Sequence, residues 1–465
     1  MNLLIILAAL GFLMLAAYRG YSVILFAPLA AMGAVLLTDP AEVAPMFTGL
    51  FMDKMAGFFK LYFPIFLLGA VFGKTMELSG FAKSIASAII ELLGRQRSVL
   101  SIVIVSALLT YGGVSLFVAV FAVYPFAAEL FRQSGIPKRL IPATIALGAF
   151  SFTMDSFPGT PQIQNVIPAA FFKTDIYAAP WLGILGGLFT LLAGLLFLEW
   201  RVRVAAANEE GYGDVLLNEP AAFEHDRLPS PWLAMLPLLV VAVANKILTG
   251  AIPRLYGESH AFIPAVVGTS EPVVQDVAKI SAIWSIEAAL ILGILTVMLL
   301  AWRHLFKKLS EGTKPAIAGA LLAATNTASE YGFGAVIAAL PGFLIVSDAL
   351  RWIPNPLVNE AVTVTTLAGI TGSASGGLSI ALAAMSETFI ANAEAAGIPL
   401  EVFHRVASMA SGGMDTLPHN GAVITLLAVS GLTHRQAYGN IFGITLIKTL
   451  AVFVVIVIYQ WTGLV

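Results

Sequence analysis

Two five-residue stretches decide the reading: Met154-Asp155-Ser156-Phe157-Pro158 and Met414-Asp415-Thr416-Leu417-Pro418. Each sets a carboxylate, a hydroxyl and a proline inside a long apolar segment. A charge at the centre of a membrane helix costs at least about 2.5–3.5 kcal/mol, so such a residue usually faces a cavity and has a task. Proline removes an N–H and disturbs the helix. The disturbed turn frees carbonyls and begins a half-helix whose N–H groups and positive dipole end suit a carboxylate. The pair therefore reads as two helix breaks lining one site, with Asp155 or Asp415 carrying a coupling proton. A second reading stays open: each aspartate caps the half-helix after its break. The two roles are compatible.

Working outward, the breaks belong to a longer repeat. Gly-Gly-Val-Ser at 112–115 answers Gly-Gly-Leu-Ser at 376–379, and Gly-Ile-Pro at 135–137 answers Gly-Ile-Pro at 397–399. The Met-Asp motifs follow in the same order at nearly the same spacing. Two related halves are expected: residues 1–204 as the first repeat, 205–230 as a cytoplasmic linker, and 231–465 as the second repeat. The linker, AAANEEGYGDVLLNEPAAFEHDRLPS, is acidic and rich in turn formers.

Composition sets the class. The 465 residues are 58% hydrophobic and 11% charged, against about 25% charged in soluble domains. The net charge of −2 gives no basic field for nucleic acid. There are no cysteines, which excludes disulfides and thiolate metal sites. The first residues lack a basic n-region and read as a first span, not a removable signal peptide. A span needs roughly 20 apolar residues. Ten are expected, near 3–18, 21–38, 58–77, 139–172 (interrupted), 181–200, 232–250, 282–302, 316–346, 403–429 (interrupted) and 438–461. Residues 81–94 read as an interfacial helix, and 253–280 as an extramembrane loop.

Two apolar stretches, 98–133 and 361–392, are too long for one span and short for two. Each is broken by small residues, Tyr111-Gly112-Gly113 and Gly372 to Gly377. Both are expected to be re-entrant hairpins. Arg95, Arg97, Arg132, Lys138 and Arg139 flank the first; Glu360, Glu387, Glu394 and Glu401 accompany the second, with Arg351 and Arg405 as the exceptions. The positive-inside rule then opens the first hairpin from the cytoplasm and the second from outside. The expected fold is an all-α membrane protein of ten transmembrane helices plus two re-entrant hairpins in two inverted-topology repeats. Secondary transporters with that architecture bind substrate at the midplane, where broken helices meet.

The candidate substrate-binding residues are Gly112, Gly113 and Ser115 at the first tip, and Ser375, Gly376 and Ser379 at the second. Ser156, Gln162 and Asn165 come from the first break, Thr416 and Asn420 from the second. Tip backbone N–H groups can cradle an anion; the alternative is that the glycines only permit tight turns. The polar run Gly159 to Asn165 could equally serve interhelical hydrogen bonds. For proton coupling the candidates are Asp155, Asp415, His419 and Glu330. His419 titrates in the right range but could be structural, and Glu330, in Asn326-Thr327-Ala328-Ser329-Glu330, could be interfacial. Lys246 and Lys448 read as snorkelling residues near span ends. No metal constellation, catalytic triad or phosphate loop is present. The chain is therefore read as a transporter without a cofactor, neither an enzyme nor driven by ATP. Sodium coupling, with unwound carbonyls as ligands, stays open, as does an anion channel.

The segment GAVFGKTMELSGFAKSIA (69–86), the hairpin GGVSLFVAVFAVYP (112–125), the Gly-Ile-Pro turn, the Pro158-Gly159 break and the closing Met-Asp-Thr break resemble the gluconate permease (GntP) family of the ion transporter superfamily. The resemblance runs over essentially the whole chain. It implies a bacterial inner-membrane, multi-pass protein carrying a small hydroxylated monocarboxylate with protons. It also implies a homodimer in lipid and an elevator-type moving transport domain. Where the gluconate type has His-Pro-Gly-Pro, this chain reads Phe157-Pro158-Gly159-Thr160-Pro161. That less polar lining resembles members described as 3-hydroxybutyrate permeases and implies a shorter acid.

Overall fold

The computed structural model describes residues 2–19, 21–94, 97–114, 116–213, 217–219, 228–262, 272–305, 309–343, 345, 353–418 and 420–465. Ser115 and His419, both candidate site residues, lie outside them, as do residues 306–308 of the basic run beginning at Arg303. Helices α1 (Asn2–Tyr18) and α2 (Val23–Thr38) open the chain. Pro40 to Phe51 then winds through short 3₁₀, α and π turns into α3 (Met52–Leu78) and α4 (Phe81–Leu93). α4 carries its apolar residues on one face, with Phe81, Ala82, Ile85 and Ala86 buried, the pattern of an amphipathic helix.

The elements then run hairpin, broken helix, long helix, and do so twice. In the first half α5 (Ser98–Tyr111) and α6 (Leu116–Gln133) form the hairpin. α7 (Ile141–Ala149), a single turn at Phe152–Asp155 and α8 (Ile163–Phe172) form the broken helix, and α9 (Pro180–Ala207) the long one. In the second half α10 (Pro231–Tyr256), α11 (Val277–Leu305) and α12 (Leu309–Ala339) precede the hairpin of α13 (Pro356–Thr371) and α14 (Ala374–Ala396). α15 (Leu400–Ser411), α16 (Gly421–Ser430) and α17 (His434–Thr462) complete the order. Both breaks fall where the prolines require, at 150–162 and 412–420.

Six helical segments among the described residues are long and apolar enough to cross a membrane: Pro40–Leu78, Pro180–Ala207, Pro231–Tyr256, Lys279–Arg303, Ala374–Ala396 and His434–Thr462. One is α14, the second arm of a hairpin, so that arm reaches membrane-spanning length by itself while α13 does not. Large apolar side chains point outward along these helices; Leu196, Leu239, Leu299 and Leu450 are exposed. Such a surface is ill suited to water and is what a bilayer solvates. Tryptophans Trp232 and Trp461 sit exposed at helix ends, the position of interfacial aromatics.

α3 packs along α12 and α11, and α10 along α11. The hairpins and broken helices pack among themselves: α8 on α15 and α14, α17 on α7, α13 on α14 and α15. α12 joins the two groups by packing on α14. The region between the halves is docked. Arg139 pairs with Glu210 at 2.7 Å, Lys138 with Glu219 at 2.7 Å, and Asn218 Nδ2 donates to the Ala428 carbonyl at 2.7 Å. Ser84 Oγ donates to the Pro229 carbonyl at 2.6 Å. The all-α expectation needs one correction. Ser259–Phe262 and Val273–Asp276 pair as an antiparallel ribbon, Ser259 opposite Asp276 and Phe262 opposite Val273. The apolar windows were silent there because the strands are exposed.

Candidate functional site

Each break offers a side-chain amide to the hairpin beside it. Gln162, at the start of α8, donates through Nε2 to the Thr110 carbonyl at 2.7 Å and the Val114 carbonyl at 3.4 Å. Tyr111 adds its hydroxyl to the Pro158 carbonyl at 2.8 Å. In the second half Asn420, at the start of α16, donates through Nδ2 to the Gly372 carbonyl at 2.7 Å. Its Oδ1 accepts from Val423 N at 2.9 Å, which caps α16. The carbonyls freed where a hairpin turns are thus satisfied by the neighbouring break.

The breaks also meet each other. Asp155 Oδ1 accepts from Ser156 Oγ at 2.6 Å, and Oδ2 has no hydrogen-bond partner among the described residues. That oxygen lies against Gly412 of the second break, where any side chain would collide with it. The Asp155 carbonyl accepts from Ser408 Oγ at 2.7 Å and Arg405 Nη1 at 3.4 Å. No backbone N–H of α8 is capped by Asp155; Gln162 stands at the N-cap position, before Ile163. Asp415 instead forms an ion pair with Lys448, whose ammonium also donates to the Phe150 carbonyl of the first break at 3.0 Å.

Lys448 corrects an expectation. It stands midway along α17 and is 3% exposed, so it does not snorkel. Lys246 rests over the Tyr177 ring at 4.0 Å, a cation–π contact. Arg405, an exception to the charge pattern around the second hairpin, is fully buried. Its guanidinium donates to the Ala178 carbonyl at 2.7 Å and to Asn165 Oδ1 at 3.0 Å. Asn165 Oδ1 also faces His404 Nε2 at 3.2 Å, while its Nδ2 donates to the Thr160 and Ile176 carbonyls at 3.0 and 2.9 Å. The Asn165 amide is spent on holding the first break together.

A cavity of about 680 Å³ opens between α3, α12, both hairpin tips and both breaks. Of the sequence candidates, Gly113, Gln162, Ser375, Asp415, Asn420 and Glu330 line it. Gly112, Asp155, Ser156, Asn165, Gly376, Ser379 and Thr416 do not. Ser379 Oγ donates within its own helix to the Ser375 carbonyl at 2.6 Å, and Thr416 Oγ1 meets Thr445 Oγ1 at 2.6 Å. Gly376 serves by being small, because the Glu330 carboxyl lies directly against its Cα. Glu330 Oε2, Gln164 Oε1 and Asn326 Oδ1 have no hydrogen-bond partner among the described residues, and all three residues line the cavity. Thr327 Oγ1 lies 3.2 Å from Ser375 Oγ. Gln164 and Asn326 belong to polar runs that the sequence singles out, and Ser373 to the second tip, and all three line the cavity; Lys448, read as a snorkelling residue, stands behind its wall. For Lys448 a signal existed: it is the midpoint of an unbroken apolar helix.

A family model for GntP family permease matches residues 2–286. The chain belongs to the GntP permease family. GntP permeases are membrane transporters, not enzymes, and this is a multi-pass member. It is similar to a Bacillus subtilis (strain 168) protein named uncharacterized transporter YxjC, at 59% identity over 474 residues and the full length of both chains. It is also similar to a gluconate permease of Bacillus licheniformis, 29% identical over 193 residues, 39% of this chain and 41% of that one. The Gnt-II system L-idonate transporter of Escherichia coli (strain K12) is 26% identical over 184 residues, 38% of this chain and 39% of that one. Among solved structures, the YdaH transporter of Alcanivorax borkumensis aligns with a TM-score of 0.47 and 15% identity, over 92% of this chain and 90% of that one.

Proposed function

We propose that this GntP permease is a secondary active symporter that moves a small hydroxylated monocarboxylate together with protons across the bacterial inner membrane. The carrying observation is the cavity. Both breaks and both hairpin tips contribute to its wall, together with two carboxyl groups, Asp415 and Glu330. Its volume, about 680 Å³, falls in the range of small-molecule sites. Gln162, Gln164, Asn326, Ser375 and Asn420 supply the hydrogen-bonding groups a hydroxy acid needs. The relatives named for gluconate and L-idonate support a sugar-acid-like substrate; Phe157 packs on Gly187, Tyr111 and Phe152 and does not line the cavity, so a shorter acid such as 3-hydroxybutyrate rests on the sequence resemblance alone.

In this reading the repeated order of hairpin, broken helix and long helix is an inverted-topology repeat. Ten spans and two re-entrant hairpins carry it, and a dimer moves the hairpin-bearing body by an elevator step. Asp155, Asp415 and Glu330 are the proton-coupling candidates, and His419 joins them from the sequence alone. Ser115 remains a candidate at the first tip.

The test is uptake of labelled gluconate, 3-hydroxybutyrate and lactate into proteoliposomes under separate proton and sodium gradients. Accumulation of a hydroxy acid driven by an inward proton gradient, and abolished by a protonophore, is the expected result. Accumulation driven by sodium alone would replace protons with sodium, and flux indifferent to any gradient would make the protein a channel or uniporter.

A further inference from the structure

The cavity wall poses a charge problem. The proposed substrate is an anion, yet among the described residues lining the cavity none is lysine or arginine, and two are carboxylic acids, Asp415 and Glu330. One cation stands directly behind the wall. The Lys448 ammonium is held between two lining residues, the Asp415 carboxylate and the Phe150 carbonyl. The other buried cation nearby, Arg405, is engaged with the Ala178 and Ile176 carbonyls and Asn165.

We propose that Lys448 is the cation that binds the substrate carboxylate, and that Asp415 releases it by accepting the coupling proton. This rests on the symport reading above and names the site within it.

The charges around the pair support the exchange. Asp155, from the first break, lies within electrostatic reach of Lys448, Asp415 and Arg405. Tyr438, on α17, lies near Asp415 and donates its hydroxyl to the Thr416 carbonyl at 3.2 Å. Glu330 is on α12, against the second hairpin tip at Gly376. None of these supplies a second cation at the wall.

Four states follow. With neither ligand, Asp415 and Lys448 neutralise each other. A proton alone on Asp415 leaves a buried ammonium without its counter-ion, which is strongly unfavourable. An anion alone sets two carboxylates against one ammonium. With both, Asp415 is a neutral acid and Lys448 pairs with the substrate, so the charge of the site equals that of the empty state. Only the empty and doubly loaded states are charge-balanced, which is the condition for tight coupling. One proton accompanies one monocarboxylate, and the transport step carries no net charge.

The experiment compares wild type, Asp415→Asn, and Asp415→Asn with Lys448→Met in proteoliposomes, using labelled gluconate and 3-hydroxybutyrate. The double variant removes both charges together, so no ion is left unpaired to oppose folding. Wild-type exchange should weaken as pH rises, and its proton-driven uptake should be unchanged by an imposed membrane potential. Asp415→Asn leaves Lys448 unpaired until substrate binds, so its exchange is measured per amount of folded protein; that exchange should lose its pH dependence, and uphill accumulation should be lost. Adding Lys448→Met should lower exchange at least about 100-fold. Exchange by the double variant at the level of Asp415→Asn would overturn the assignment of Lys448. Proton-driven accumulation in Asp415→Asn would overturn the role of Asp415. Uptake driven by potential at equal pH would overturn the one-proton count, whatever the variants do. A wild type inactive on both acids would remove the symport reading and this inference together; an active wild type with an active double variant removes the inference alone.

Discussion

The first and second breaks are built on the same plan and charged differently. In each, an amide at the start of the half-helix satisfies the carbonyls of the adjacent hairpin tip: Gln162 for Thr110 and Val114, Asn420 for Gly372. In each, an aspartate precedes the proline. Asp155 has a hydroxyl neighbour and lies off the cavity, whereas Asp415 has an ammonium partner and lies on it. Scaffold and charge are therefore separable. The amides position backbone, and their work is alike in both halves. The carboxylates differ, and the difference assigns the ion pair to the second half.

Breaking the ion pair should give the largest effect. Lys448→Met alone leaves Asp415 unpaired in a buried site and should destabilise the protein by about 3–5 kcal/mol, read as a loss of thermal stability in detergent. Asp155→Asn removes no cation's partner and should cost about 1 kcal/mol or less. Equal losses in the two would erase the distinction between the breaks.

Arg405→Lys comes next. A lysine cannot reproduce the planar fork that serves Ala178, Ile176 and Asn165 at once. A loss of about 2 kcal/mol is expected, with slower uptake, measured by thermal unfolding and initial rates. The two amides provide the control for symmetry. Gln162→Ala and Asn420→Ala should each cost about 1–3 kcal/mol, with Asn420→Ala the more damaging because it also removes the cap on Val423. The absence of native cysteines permits single reporter cysteines at Val114 and Ala374. Each should label faster when its own amide is removed, and not when the other is.

The smallest effect belongs to the docked linker. The hydrogen bond and charge of Arg139 hold the Glu210 carboxyl below its usual range. A lowered carboxyl stabilises the fold above its unfolded titration range and loses that contribution as pH falls through the lowered value. Glu210→Gln should remove this acid sensitivity at a cost of no more than about 1 kcal/mol, visible as a flatter dependence of melting temperature on acid pH.

Much of the scaffold was legible in the chain. Proline and glycine punctuate locally, so the two breaks and the turns at Gly112-Gly113 and Gly372-Ser373 fell where the residues placed them. The fates of the polar residues were not local. Gln164 faces the cavity while Asn165, its neighbour, turns to Arg405 some 240 residues away. Lys448 was misread, and Arg405 left as an exception, for the same reason. Whether a charge lies at a helix end or a helix centre depends on what packs around it, and a hydropathy window is blind to that. The ribbon at 259–262 and 273–276 escaped because exposed strands bury too little to leave a pattern.

The connections around the first hairpin carry a mechanical consequence. Glu219 is fastened to Lys138 at the base of the first hairpin, and Pro229 to Ser84 on α4. Nine residues of chain lie between these anchors, ten Cα steps that at full extension reach about 35 Å. A shorter tie joins the same parts: the five steps from Leu93, at the end of α4, to Ser98, at the start of the first hairpin, reach about 18 Å. In the proposed elevator step that short connection, and not the linker, sets how far the hairpin body can part from α4.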